Sequence, residues 1–208
     1  MIALLDTSHD LEQAAKELGH PVEQLLTPLS RFKRRNKKAH YAIDNGTFSR
    51  FNRQAFEALL DRESDARKLC RFVAVPDVVG NARRTLEVFE YWRYKLCGWK
   101  LALVAQDGQG ELPIPWEGID AIFIGGSTKW KLGEDAKAIC KAAKAMSKWV
   151  HIGRVNGKDR FRYAKWQLEA DSVDGMGLSK YSHMRKAIAQ PTLYDEANLV
   201  LASAEEKE

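Results

Sequence analysis

Short apolar runs that stop on a glycine or a hydrogen-bonding side chain recur along this chain, and that recurrence constrains the fold more than any other feature. His40-Tyr41-Ala42-Ile43 stops at Asp44-Asn45-Gly46, and the run from Arg71 to Pro76 stops at Asp77. Trp99 to Ala105 ends at Gln106-Asp107-Gly108, Ile119 to Ile124 at Gly125-Gly126-Ser127, and Trp149 to Ile152 at Gly153-Arg154. Runs so short and so continuously apolar suit strands covered on both faces. Residues 1–6 supply a first strand and the stretch 170–175 a last one. Segments with helical spacing lie between most of them, so the alternation predicts an α/β fold with parallel strands. No Gly-x-Gly-x-x-Gly follows the first strand, and the polar residues are spread over many strand ends. A (β/α)₈ barrel therefore fits better than a Rossmann sheet. Only seven strands can be counted, and the chain is short for such a barrel, so trimmed helices and imperfect closure are expected.

The helices are read from caps and apolar stripes. Ser8 is the N-cap of a first helix over 8–18 that stops at Gly19, and a second short helix covers Val22 to Leu29. Others follow over 53–69, 81–97, 134–148, 160–169 and 179–189. Leu86, Phe89, Tyr91, Trp92 and Leu96 form a broad apolar stripe and are assigned to the core. The chain reads as one domain of 208 residues. Residues 1–38 hold the N-terminal elements, 39–190 the core, and 191–208 a polar, frayed tail.

Composition narrows the class. No apolar run approaches the ~20 residues that span a bilayer, and the first residues lack a signal-peptide pattern, so no membrane association and a cytoplasmic location are expected. Cys70, Cys97 and Cys140 are far apart and odd in number. They are read as buried free thiols, with neither a disulfide framework nor a metal site. The net charge of +5 permits a polyanionic partner. It is concentrated in Arg31-Phe32-Lys33-Arg34-Arg35-Asn36-Lys37-Lys38, where six of eight residues are cationic. A solvated surface and a phosphate-backbone contact are the two readings of that run.

Ala170-Asp171-Ser172-Val173-Asp174-Gly175 places two carboxylates three residues apart, after a helix and before glycines. A strand-end carboxylate in a barrel faces the active-site mouth and can serve as nucleophile, base or ligand; a capping or turn-forming pair is the other reading. On the first reading Asp44, Asp77, Gln106, Gly125, Gly126, Arg154 and Asp171 converge on one rim. Carboxylates, a carboxamide and bare backbone together suit a flat heterocycle with donors and acceptors along its edges.

The segments Asp44-Asn45-Gly46-Thr47-Phe48, Val75-Pro76-Asp77-Val78-Val79, Val104-Ala105-Gln106-Asp107-Gly108, Ile124-Gly125-Gly126-Ser127 and Asp171-Ser172-Val173 occur in the order seen in tRNA-guanine transglycosylases. The resemblance covers roughly residues 40–185. His151-Ile152-Gly153-Arg154-Val155-Asn156 and the Asp171–Gly175 box make it closer to the small phage and bacterial relatives that put 7-deazaguanines into DNA.

This resemblance implies a base-exchange enzyme on a (β/α)₈ fold. It implies Asp171 as nucleophile and Asp44 as general acid/base. Asp77, Gln106 and the Gly125–Gly126 backbone would hold the base, and Arg154 would act on a phosphate or on Asp171. The implied partners are nucleic acid and a free 7-deazaguanine such as preQ0. No redox cofactor or nucleoside triphosphate is implied, because one glycosidic bond replaces another. The tRNA enzymes carry a Cys/His zinc site near the C-terminus. Only His151 and His183 follow Cys140 here, so no such site is expected and DNA is favoured over tRNA. Arg31, Lys33, Arg34, Arg35, Lys37 and Lys38 are the candidates for the missing grip. Activity on RNA, a non-catalytic DNA- or deazapurine-binding role, and a barrel aldolase or isomerase on a phosphorylated small molecule are the alternatives. In the last of these Gly125-Gly126-Ser127 would cup the phosphate, and a strand-end lysine would be needed for a Schiff base.

Overall fold

The computed structural model describes residues 1–7 and 10–191. Eight parallel strands close into a barrel in chain order: β1 (Ile2–Leu5), β2 (Val22–Leu26), β3 (Tyr41–Ile43), β4 (Cys70–Ala74), β5 (Leu101–Ala105), β6 (Ala121–Ile124), β7 (Trp149–Ile152) and β8 (Ser172–Asp174). β1 pairs with both β2 and β8, which completes the ring. Alternation along each strand divides the apolar side chains into two bodies. Leu4, Leu25, Ala42, Phe72, Ala74, Ala102, Val104, Ala121 and Phe123 fill the barrel interior. Leu5, Leu26, Ile43, Val73, Leu103, Ile122, Val150 and Val173 join the larger core outside it.

That outer core is covered by α1 (Leu11–Leu18), α2 (Arg53–Arg62), α3 (Ala82–Lys95), α5 (Glu134–Ala145), α6 (Lys158–Trp166) and α8 (Ser182–Ala189), with two shorter helices, α4 (Thr128–Lys131) and α7 (Met176–Lys180), near the mouth. Local chemistry sets the boundaries. Asp10 caps α1 by accepting from the amides of Glu12 and Gln13, and Gly19 ends it at φ 68. The expected cap, Ser8, and the expected polar tail from residue 192 onward lie outside the described residues. Asn52 and Asn81 cap α2 and α3 in the same way. Arg185 of α8 pairs with Glu17 of α1 at 2.8 Å, which joins the first and last helices.

Several expectations are corrected. Residues 22–29 are not a helix: 22–26 form β2, the eighth strand, with Leu25 facing in and Leu26 facing out. Closure requires a strand between β1 and β3, and that requirement overrides an ambiguous local pattern. No helix bridges β2 and β3. The connection instead lies along the barrel wall. Gln24 of β2 donates to the carbonyls of Thr7 and Lys33 and accepts from the Arg35 amide. Two 3₁₀ turns, Gln109–Glu111 and Trp116–Gly118, take the place of a helix between β5 and β6. Phe89, Trp92 and Leu96 are core as expected, whereas Tyr91 is half exposed. Cys70 and Cys140 are buried and Cys97 is exposed. Among the described residues no helix is long and apolar enough to cross a membrane.

Candidate active site at the carboxyl end of the barrel

A cavity of about 460 Å³ opens at the carboxyl ends of the strands, within the range of small-ligand sites. Four carboxylates line it: Asp6 after β1, Asp44 after β3, Asp77 beyond β4 and Asp174 at the end of β8. Asn45, Gln106, Gly125, Arg154 and Lys180 line it as well, with Val104 and Phe123 as apolar lining. Leu29, Phe48, Val79 and Met176 also line the cavity while largely exposed, so its rim is apolar.

The environments of the four acids differ. Asp174 Oδ1 accepts from the Arg154 amide at 2.7 Å, and Oδ2 lies 3.2 Å from Nε2 of the fully buried His151. Burial works to raise the Asp174 pKa, but hydrogen bonds from His151 and the Arg154 amide and the charge of Lys131 outweigh it. The carboxyl stays below its ordinary value. Asp44 is pushed up to about 7, first by burial and then by the charges of Asp174 and Asp77, against hydrogen bonds from the Asn45 and Gly46 backbone. Burial also raises Asp77, which accepts from Asn45 Nδ2 at 2.9 Å and from Gln106 Nε2 at 2.6 Å. Asp6 is raised by burial and by Asp174, although Ser30 donates to it at 2.6 Å.

Of the residues singled out from the sequence, Asp44, Asp77, Gln106, Gly125 and Arg154 line this cavity. Asp171 does not. It precedes β8, accepts from the Val150 amide at 2.7 Å and pairs with Lys144 of α5 at 2.8 Å. Ser172 begins β8 at the amino-terminal rim, so Asp171 sits at the end of the barrel away from the mouth. Parity explains the outcome. Residues 172 and 174 point inward, so a side chain at 171 points out toward the helices. Asp174 occupies the place expected for Asp171.

The glycine pair also plays a different part. The Gly125 and Gly126 amides both donate to the Ala105 carbonyl, at 2.9 and 3.2 Å, so neither is free to hold a ligand. Gly125 is required by packing: a Cβ there would lie 2.7 Å from Val104 Cγ1 and 2.8 Å from Gln106 Nε2. Gly126 is not among the cavity-lining residues. Ser127 donates through its amide and hydroxyl to Asp107, both at 2.6 Å, so a carboxylate already fills the place a phosphate would need. Lys131 of α4 is buried and donates to the Gly153 carbonyl, and burial pushes it down to about 8. Gln106 has both ends of its amide engaged, donating to Asp77 and accepting from the Gly80 amide at 2.9 Å. It holds Asp77 in place. Arg154, at φ 58, donates to the Gly125 carbonyl at 2.7 Å and to that of Gly126, and its guanidinium lies 4.1 Å from the centre of the Phe48 ring. It thus ties the loops after β6 and β7 to the rim rather than reaching Asp171.

The basic run is split. Arg34 is mostly buried, pairs with Glu63 at 2.7 Å and stacks over Tyr41 at 4.8 Å, which makes it a structural residue and corrects its assignment to nucleic acid. Arg31, Lys33, Arg35, Lys37 and Lys38 are exposed, and of residues 31–38 only Phe32 lines the cavity. Sequence reasoning misses Asp6, Asn45 and His151, and of the two carboxylates in residues 170–175 it chooses Asp171 over Asp174. The signal for Asp174 is Gly175, which marks where the last strand stops. Among the described residues no group of three or more His, Cys, Asp or Glu is arranged to hold a metal ion.

No family model matches the chain, and no curated protein does. Among solved structures, one described as "Native KDPGal structure" is similar at 12% identity with a TM-score of 0.38, over 96% of this chain and 95% of that one. That likeness says nothing about chemistry at the mouth.

Proposed function

We propose that this chain is a base-exchange glycosyltransferase that removes guanine from nucleic acid, DNA in preference to tRNA, and inserts a 7-deazaguanine of the preQ0 kind. Asp174 is the nucleophile, in the role first expected of Asp171, and Asp44 is the general acid/base. The carrying observation is the pair of acids on one cavity in unlike surroundings: Asp174 hydrogen-bonded by His151 and the Arg154 amide and so held low, Asp44 buried beside two other carboxylates and so raised to about 7. Such a split is what separates a nucleophilic carboxylate from a proton donor in retaining glycosyl transfer.

Asp174 attacks C1′ of the target guanosine as the C1′–N9 bond breaks, and Asp44 delivers a proton to the departing guanine. The product is an ester between Asp174 and the sugar. Asp44, now a carboxylate, takes the N9 proton of the incoming base. That nitrogen attacks C1′, and the ester bond breaks to restore Asp174. Asp77, held by Asn45 and Gln106, faces the base edge, while Phe48 and Phe123 offer aromatic surface to its plane. A duplex must first release the guanosine from its stack, at a cost of a few kcal/mol. The exposed cations between β2 and β3 are assigned to the phosphate backbone beyond the cavity.

Incubation with labelled guanine and duplex DNA or tRNA tests the exchange. Label should enter DNA, and intact-mass analysis should detect a protein–DNA ester that Asp174→Ala abolishes. An ester that persists in that variant would remove Asp174 from the role.

A further inference from the structure

His151 is the most enclosed polar side chain near the mouth, and the exchange mechanism leaves it without a task. Its ring is fully buried, 4.4 Å from the centre of Phe123 in an edge contact and 5.1 Å from that of Phe72. Nε2 faces Asp174 Oδ2 at 3.2 Å and Nδ1 faces Ser172 Oγ at 2.9 Å. Ser172, also fully buried, accepts from the Trp149 indole at 2.7 Å. Trp149 and Ser172 begin β7 and β8, and Asp174 ends β8. A hydrogen-bonded line therefore runs through the barrel interior from its amino-terminal end to the mouth.

We propose that His151 is the positioning residue of this site: Trp149 and Ser172 lock its ring as the Nε2–H tautomer, and it aims one oxygen of Asp174. The assignment follows from counting protons. An indole N–H can only donate, so the Ser172 oxygen receives it and keeps its own hydroxyl proton for a second partner. His151 Nδ1 is the other atom that Ser172 Oγ meets among the described residues, so a proton on Nδ1 would leave the buried hydroxyl with no acceptor, and a bare Nδ1 satisfies it. The ring's proton lies on Nε2, pointing at the carboxylate. The reverse tautomer would set a nitrogen lone pair against a carboxylate in a dry interior, where an unmet acceptor is costly. With Oδ1 fixed by the Arg154 amide and Oδ2 by His151, the Asp174 carboxylate has one orientation toward the cavity. The other ionisable groups that act with Asp174 are Asp6, Asp44 and Lys131. None of these three hydrogen bonds it.

That the aimed carboxylate attacks C1′ rests on the proposed base exchange; the hydrogen-bonded line itself does not. Two kinds of measurement keep them apart. The first needs no reaction: ¹⁵N NMR of the unmodified protein reads the His151 tautomer, and ¹³C NMR reads the Asp174 titration. We expect a protonated Nε2 with an unprotonated Nδ1. His151→Leu, which keeps bulk and removes the donor, should move the Asp174 midpoint upward, and His151→Gln, whose amide can donate from the same place, should return it most of the way. Ser172→Ala should release the tautomer preference without touching Asp174. The second is exchange on duplex DNA: kcat should fall on the order of 10- to 100-fold in His151→Leu with KM little changed, because the nucleophile is misaimed rather than the substrate lost. A proton on Nδ1 in the unmodified protein, whether Nε2 is bare or protonated, overturns the proposal, as does an Asp174 midpoint that His151→Leu leaves in place. Should the NMR results come out as expected while no variant or parent exchanges guanine, the positioning line stands and the base-exchange reading fails.

Discussion

Nε2 of His151 stands 3.2 Å from Oδ2 of Asp174, inside a barrel that leaves none of the imidazole exposed. Across the same cavity, Asp44 draws on the backbone of Asn45 and Gly46 and feels two neighbouring carboxylates. Burial reinforced by like charges raises Asp44, whereas hydrogen bonds from the ring and the Arg154 amide hold Asp174 low, and this divides two chemically identical groups into a proton carrier and an anion.

Two acids three residues apart should respond oppositely to the same change. Asp174→Asn should abolish ester formation and exchange while leaving the fold intact. Asp171→Asn should keep exchange but weaken the protein by about 1–3 kcal/mol, since it disturbs bonds to Val150 and Lys144 at the far rim. Exchange assays paired with urea unfolding of both variants check this; loss of exchange on changing Asp171 alone would reverse the assignment.

Stability should fall as pH rises. The Asp44 carboxyl goes from 3.8 to about 7 on folding, so the native protein binds this proton more tightly than the unfolded chain. The resulting stabilisation is full below about pH 4 and is lost as pH climbs through about 7, on the order of 4 kcal/mol. Asp6 and Asp77 are raised as well and act in the same direction. Asp44→Asn should flatten the decline between about pH 5 and 8 and cut exchange by on the order of 10²-fold or more. Denaturant titrations at the two pH values measure the first effect; slopes that match the parent would assign the titration to another group.

The cations between β2 and β3 should separate into two classes. Arg34→Ala removes a partner of the buried Glu63 and a ring contact with Tyr41, and should cost about 1–3 kcal/mol. Replacing the exposed Lys37 and Lys38 with alanine should change stability by no more than about 0.5 kcal/mol. The pair should instead lower the salt dependence of DNA binding, by roughly one unit of slope for each phosphate no longer neutralised. An unchanged slope would return those lysines to plain solvated surface.

Gly125→Ala should damage the site without adding a charge. The new methyl would press on Val104 and on the Gln106 amide, which holds Asp77. A backbone or side-chain shift there should cost about 1–3 kcal/mol and impair base binding before it impairs ester chemistry. A raised KM with a nearly normal kcat is the expected pattern, read from steady-state exchange at varied base concentration.

How much of this is legible in the sequence depends on strand length. β3 to β7 are short, mostly apolar runs with abrupt polar ends, so the barrel and the places of Asp44, Asp77, Gln106 and Arg154 can be read directly. In β2 the adjacent Glu23 and Gln24 break the alternation, and five residues are too few to tell a period of 2 from one of 3.6. β8 is three residues long, and Asp171 and Asp174 bracket it so closely that only the pairing of His151 with Ser172 shows which acid faces inward. His151 is hidden for the same reason. A lone histidine in an apolar run reads as core until the neighbouring strand supplies Ser172 and Asp174 at the same parity. The Arg34–Glu63 pair crosses 29 positions of sequence and has no local signature.

The seam between β1 and β8 carries a consequence for biosynthesis. Asp6 follows β1 and Asp174 ends β8, two strands that touch each other, yet every element from α1 to α6 is made between them. A nascent chain halted before residue 172 would have β1 to β7 available but no wall to shut the ring and no Asp174 at its mouth. Ribosome-bound fragments should therefore stay inert and open to proteases until β8 emerges, and competence should arrive in one step rather than by degrees.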